Sequence, residues 1–123
     1  MRRTEIRVEP VEAFFERGRK TGQLLDEGKR VPASRVVAFE NVEDLLALLT
    51  PKRVLLLKAL KESSGSIADL ARKLHRDRSA VTRDVQALER FGVVEVKEKP
   101  LPGHGRQKWV SPRGLEIQLT ATV

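Results

Sequence analysis

Five side chains between positions 78 and 86 carry the most specific chemistry in this sequence: Arg78, Ser79, Thr82, Arg83 and Gln86. A guanidinium presents a planar fork of N–H donors that fits the O6 and N7 acceptors of guanine, and a glutamine amide can donate to and accept from adenine. Serine, threonine and arginine also bind phosphate oxygens. At helical pitch these residues fall on one side, and Val81, Val85 and Leu88, spaced i, i+4 and i+7, fall on the other. Such a helix has one face to bury and one face to offer hydrogen bonds. A plain solvated helix has a similar charge pattern, so the neighbouring elements must decide between the two.

A second basic set follows. Lys97, Lys99, His104, Arg106 and Lys108 flank the run Pro100-Leu101-Pro102-Gly103-His104-Gly105, which is rich in turn residues. Residues 93–96 alternate as a strand does, and Lys108-Trp109-Val110 reads as the returning strand. A basic hairpin can lie along a nucleic-acid backbone or enter a minor groove, where arginine favours narrow A·T-rich sequence. The alternative is a solvated basic hairpin with no ligand. Trp109 is expected to anchor the hairpin on the core rather than to stack on a base.

The elements around these residues are in the order needed to present them. Ser66-Ile67-Ala68-Asp69 opens a helix as a capping box does, with Asp in place of Glu. That helix reaches about Leu74, with Ile67, Leu70, Ala71 and Leu74 on one face. His75-Arg76 turns the chain, Asp77 is the expected cap of the helix running to Phe91, and Gly92 ends it. Two helices across a tight turn, followed at once by a hairpin, make a winged helix-turn-helix. Upstream, Asn41 is an expected N-cap, with Asp44 after it and Leu45, Leu46, Leu48 and Leu49 beyond. Thr50-Pro51 then starts a helix to about Lys61, with Val54, Leu55, Leu57 and Leu60 predicted inward and Lys52, Arg53, Lys58 and Lys61 more exposed. Ser63-Ser64-Gly65 is read as a loop.

The chain ends read differently. Residues 4–8 alternate as a short strand. Pro10 opens a helix from Val11 to about Glu27 in which Phe14, Phe15, Leu24 and Leu25 can form an apolar stripe, weakened at Gly18 and Gly22. Gly28 and Pro32 end it, and residues 35–39 are again β-like. Ser111-Pro112 breaks the hairpin, and Leu115, Ile117 and Leu119 alternate in a last strand. The strand patterns at the two ends can pair with each other or across a dimer. The expected fold is α+β: a strand-helix extension over residues 1–40, serving dimerisation or partner contact, and a winged helix-turn-helix DNA-binding domain over 41–123. The extension carries nine basic and seven acidic residues and no pattern for reading DNA.

The run Ile67-Ala68-Asp69-Leu70-Ala71-Arg72-Lys73-Leu74, then Asp77, then Ala80-Val81-Thr82-Arg83-Asp84-Val85-Gln86-Ala87-Leu88-Glu89-Arg90-Phe91-Gly92-Val93-Val94 resembles the ArsR and MarR type of winged-helix regulators. Phe39-Glu40-Asn41 and Leu49-Thr50-Pro51-Lys52-Arg53 are similar to a group of archaeal and bacterial regulators, some regarded as antitoxins; that resemblance covers about residues 35–120. It implies a DNA-binding fold with the polar face of the second helix as reader. Two positions depart from the pattern. His75 stands where the turn usually has glycine, and Ala80 replaces a common threonine.

Composition bounds the rest. A net charge of +7 and a pI near 10.2 favour a polyanionic partner. The absence of cysteine excludes a disulfide framework, a thiol nucleophile, Cys-based zinc and any ArsR-style cysteine metal sensor. The two histidines lie in separate elements, so neither a catalytic nor a metal site is expected, and no cofactor. Gly103-His104-Gly105 lacks the strand-loop-helix setting of a phosphate loop. Apolar runs are too short to span a bilayer, the N-terminus lacks the apolar core of a signal peptide, and a cytoplasmic location is expected. The function read from these residues is sequence-specific binding of double-stranded DNA by a homodimer, acting as a repressor and not as an enzyme. The rivals are a protein-interaction module, an antitoxin whose residues 1–40 hold a toxin, and an RNA-binding protein.

Overall fold

A computed structural model describes residues 3–31, 34–114 and 116–121. The elements in chain order are β1 (Arg3–Val8), α1 (Val11–Asp26), β2 (Ser34–Phe39), α2 (Val42–Leu48), α3 (Pro51–Glu62), β3 (Gly65–Ser66), α4 (Ile67–Leu74), α5 (Arg78–Arg90), β4 (Val94–Leu101), β5 (Gly105–Pro112) and β6 (Glu116–Ala121). The fold is mixed α and β. The chain divides into two compact units, one of residues 48–113 and one joining residues 1–47 to 114–123. The dividing lines differ from the sequence reading, which cut once at 40/41. The reason is pairing: β6 hydrogen-bonds β1, so the last strand belongs with the first.

The unit made from the two chain ends is a three-stranded parallel sheet in the order β2-β1-β6. The two ends do pair with each other, and β1 is the central strand. Ile6 lies opposite Val37 on one side and Leu119 on the other. Ile6 and Thr4 are fully buried, and Phe39 and Leu45 are also buried. A parallel strand pair needs a crossover, and α1 supplies the one between β1 and β2. It ends at Gly28 (φ 73°), where Lys29 N–H reaches Leu24 O at 2.9 Å. Its apolar stripe is not covered: α1 has no buried residue, and Val11, Phe14, Phe15, Leu24 and Leu25 are all exposed. Asn41 caps α2, its Oδ1 accepting from Asp44 N–H at 3.0 Å. Gly114 turns the chain toward β6 at φ 116°, and a Cβ there would stand 2.9 Å from Thr4 Oγ1. Pro32 and Leu115 of the sequence reading fall outside the described residues.

The unit of residues 48–113 holds three helices and the antiparallel sheet β3-β5-β4. Thr50 caps α3, accepting from Arg53 N–H at 3.3 Å, with Pro51 in the first turn. The face α3 buries is Leu56, Leu57, Ala59 and Leu60, while Leu55 is exposed and Val54 half-buried. The predicted inward set was wrong at Leu55 because residues 54–57 are all apolar, so periodicity alone does not choose a face. The core is completed by Leu70, Ala71, Val81, Val85, Leu88, Val93, Val94 and Val110. Gly65 and Ser66, expected as loop and cap, also pair with Val110 and Trp109 and tie the start of α4 to the hairpin.

Candidate nucleic-acid interface

The interface is built on α4, the turn after it, α5 and the β4–β5 hairpin. Ser66 and Asp69 form a reciprocal capping box: Asp69 N–H donates to Ser66 Oγ at 3.1 Å, and Ser66 N–H to Asp69 Oδ2 at 3.3 Å. Hydrogen bonding to the carboxyl by the Ser66 side chain and backbone, together with the Arg72 guanidinium at 3.0 Å, holds Asp69 below the usual carboxylate range. The helix ends at His75, which adopts the left-handed conformation (φ 54°, ψ 48°). His75 N–H reaches Arg72 O and Arg76 N–H reaches Ala71 O, a C-terminal closure that favours glycine at the left-handed position. His75 is the one non-glycine residue with positive φ among the described residues.

α5 starts after Asp77, whose side chain makes no cap hydrogen bond, contrary to expectation. Its inward face is the expected one: Val81 and Leu88 are fully buried and Val85 nearly so. The other side brings Arg78, Ser79, Arg83 and Gln86 to solvent and leaves Thr82 half-buried. Gly92 (φ 74°) closes the helix, with Val93 N–H on Leu88 O at 2.9 Å.

The register of α5 is held by a carboxylate that sequence reasoning passed over. Asp84 accepts from Arg53 Nε of α3 at 3.0 Å and from the Arg76 guanidinium in the turn at 2.7 Å. Arg53 also donates to Leu48 O at 3.0 Å. Burial pushes the Asp84 carboxyl up, and the hydrogen bonds and charges of Arg76 and Arg53 outweigh it, leaving it below the usual carboxylate range. Arg53, predicted as a more exposed cation, is largely withdrawn into this clamp. No local pattern joins residues 31 positions apart. The only sequence signal was an acid in the middle of a helix otherwise rich in Arg, Ser, Thr and Gln.

The hairpin separates the wing residues onto two faces. In the antiparallel register Lys97 stands opposite Trp109, Glu98 opposite Lys108, and Pro100 opposite Arg106. Alternation puts Lys97, Lys99 and Trp109 on one face and Glu98, Arg106 and Lys108 on the other, with His104 in the connecting turn. Trp109 is half-buried on the face away from Val110, and the Lys99 ammonium sits 4.2 Å from its ring centroid. It therefore supports the cationic face of the wing and does not anchor in the core. Lys97 lies 3.5 Å from Glu95 and Arg106 3.6 Å from Glu98, so each face carries an acid that partly offsets its cations.

Among the described residues no cluster of three or more His, Cys, Asp or Glu side chains could hold a metal ion, and no helix is long and apolar enough to cross a membrane.

Two helices meeting at a tight left-handed turn, a third helix bracing them and a hairpin closing the sheet define a winged helix-turn-helix domain. The chain belongs to the HVO_A0114 family, whose model matches residues 48–112. The matched span coincides closely with the compact unit 48–113 and is narrower than the resemblance read from the sequence; Phe39-Glu40-Asn41 lies outside it.

No curated protein matches the chain. Similar solved structures include a possible transcriptional regulator from Methanosarcina mazei Go1, 22% identical over 58% of this chain and 64% of that one, with a TM-score of 0.49. NolR from Sinorhizobium fredii is 22% identical over 58% of this chain and 66% of its own, with a TM-score of 0.48. A homodimeric winged helix-turn-helix DNA-binding domain from Mycobacterium bovis, described as a possible ArsR-family transcriptional regulator, is 17% identical over 62% and 73%, with a TM-score of 0.47. The chain thus spans just under two thirds of the first two. At these identities and scores nothing passes from their names to this chain.

Proposed function

We propose that this protein is a cytoplasmic transcription regulator that binds double-stranded DNA sequence-specifically as a homodimer and represses by blocking polymerase. Each α5 enters a major groove, with half-sites about one helical turn apart. Arg78, Ser79, Thr82, Arg83 and Gln86 read bases or fix register, and Lys97, Lys99, His104, Arg106 and Lys108 contact the backbone. The observation that carries this reading is α5: a helix with Val81 and Leu88 fully buried on one side and Arg78, Ser79, Arg83 and Gln86 exposed on the other. The net charge of +7 supports it. The DNA-binding part is the unit 48–113, and the unit built from the chain ends serves dimerisation.

The test is fluorescence anisotropy on duplex from upstream of the protein's own gene and on a scrambled duplex, at several salt concentrations. Tighter binding upstream with a steep salt slope is the expected result. Equal or negligible binding to both overturns the assignment of sequence-specific regulation at that site.

A second reading, a protein-interaction module or antitoxin, is favoured by the uncovered apolar side chains of α1, Val11, Phe14, Phe15 and Leu25. Under that reading duplex affinity is weak and blind to sequence.

A further inference from the structure

The turn between α4 and α5 encloses a shallow concavity of about 550 Å³. Ala68 and Ala71 line it with small side chains. Arg72, His75, Arg76 and Arg78 also line it, against a single acid, Asp77.

We propose that this concavity binds a phosphate group. The basic side chains differ in how far they are committed. Arg76 gives one hydrogen bond to Asp84, and Arg72 gives one to Asp69. A guanidinium has five N–H donors, so both keep others for an anion. Arg78 and His75 make no side-chain hydrogen bond or ion pair among the described residues. Arg78 supplies full charge and a planar fork suited to two phosphate oxygens. The Asp77 side chain makes no cap hydrogen bond to the first turn of α5, so it does not occupy that helix's N-terminal donors. Asp77 itself opposes an anion.

The phosphate has two sources, a DNA backbone phosphodiester beside the groove that α5 enters, or a free phosphate. The first rests on the DNA-binding reading above; the second does not. In the first case the contact carries no sequence information, because phosphates are alike at every step.

The experiment is amide NMR on the full chain, titrated with inorganic phosphate against chloride at matched ionic strength, and then with a scrambled duplex. Saturable shifts of amides 71–79 are expected. Arg78→Ala should weaken the response by about threefold to tenfold, and Asp77→Asn should strengthen it. His75→Gly fits the left-handed position without strain, so it should melt no lower than the wild type while binding less tightly. Shifts with duplex alone assign the site to backbone phosphate. Shifts with inorganic phosphate and no duplex binding at all assign it to free phosphate, and the DNA-binding reading then fails while the site stands. No response of these amides to either ligand, or an unchanged response in Arg78→Ala, overturns the proposal.

Discussion

Arg53 on α3 and Asp84 on α5, 31 residues apart in sequence, meet through a 3.0 Å hydrogen bond in which the arginine Nε donates. Arg76 completes the clamp at 2.7 Å from the other carboxylate oxygen. Three parts of the winged helix-turn-helix unit, the bracing helix α3, the turn after α4 and the helix α5, are thereby referred to one carboxylate. Its side chain is 13% exposed, so the charges are poorly screened and the geometry is worth more than that of a surface pair.

Asp84→Ala should therefore destabilise the domain by about 2–3 kcal/mol, since it leaves two guanidiniums without their carboxylate. Urea unfolding midpoints at neutral pH measure this. A loss below about 0.5 kcal/mol would place the pair among ordinary surface contacts.

The same carboxylate sets an acid dependence. Its folded-state pKa lies below the ordinary value, so the stability it supplies is complete above the unfolded pKa, about 3.9, and is lost as pH falls through the folded value. The stability gap between wild type and Asp84→Asn should be constant from neutral pH to about pH 5 and close at lower pH. A gap that widens on acidification would reverse the sign of this assignment.

Gly114→Ala should cost roughly 2–3 kcal/mol. The backbone there has φ 116°, and the new Cβ would meet Thr4 Oγ1 at 2.9 Å and Thr4 N at 3.3 Å. Both Thr4 and Gly114 belong to the unit built from the chain ends, so the loss should appear in the melting of that sheet. Thermal unfolding followed by amide exchange of β1 checks it.

On duplex DNA, Arg83→Ala should weaken specific binding by about 1–3 kcal/mol and relax discrimination, while Lys108→Ala should weaken all sequences alike and reduce the salt slope by about 1. Anisotropy across a salt series separates the two. An Arg83→Ala protein with wild-type affinity would remove that residue from the reading face.

Dimerisation through the uncovered stripe of α1 predicts that Phe15→Asp, a 57% exposed position, leaves the fold intact and yields monomer in sedimentation. Point substitution is the proper test. Deleting residues 1–34 would remove β1, the central strand between β2 and β6, and unfold the sheet along with any interface. An unchanged sedimentation coefficient in Phe15→Asp sends the dimer contact elsewhere.

The sequence by itself determined whatever local physics sets. Thr50-Pro51, the Ser66–Asp69 box and Gly92 marked helix ends, because caps and left-handed closures involve residues only a few positions apart. Val81, Val85 and Leu88 marked the buried face of α5, because a helix of mixed polarity has one way to hide its apolar side. Where the pattern was uniform, as in the apolar run 54–57, the sequence left the face open and packing turned Leu55 outward. The wing cations were legible as a set, but only strand register divided them between two faces and put Lys99 over Trp109. The Arg53–Asp84–Arg76 clamp was decided by tertiary structure alone, and of the two pairings the sequence left open for the end strands, tertiary structure chose the union of β6 with β1. Ion-pair partners and parallel strands are chosen by proximity after folding, and contacts over such sequence distances leave no period or spacing in the chain.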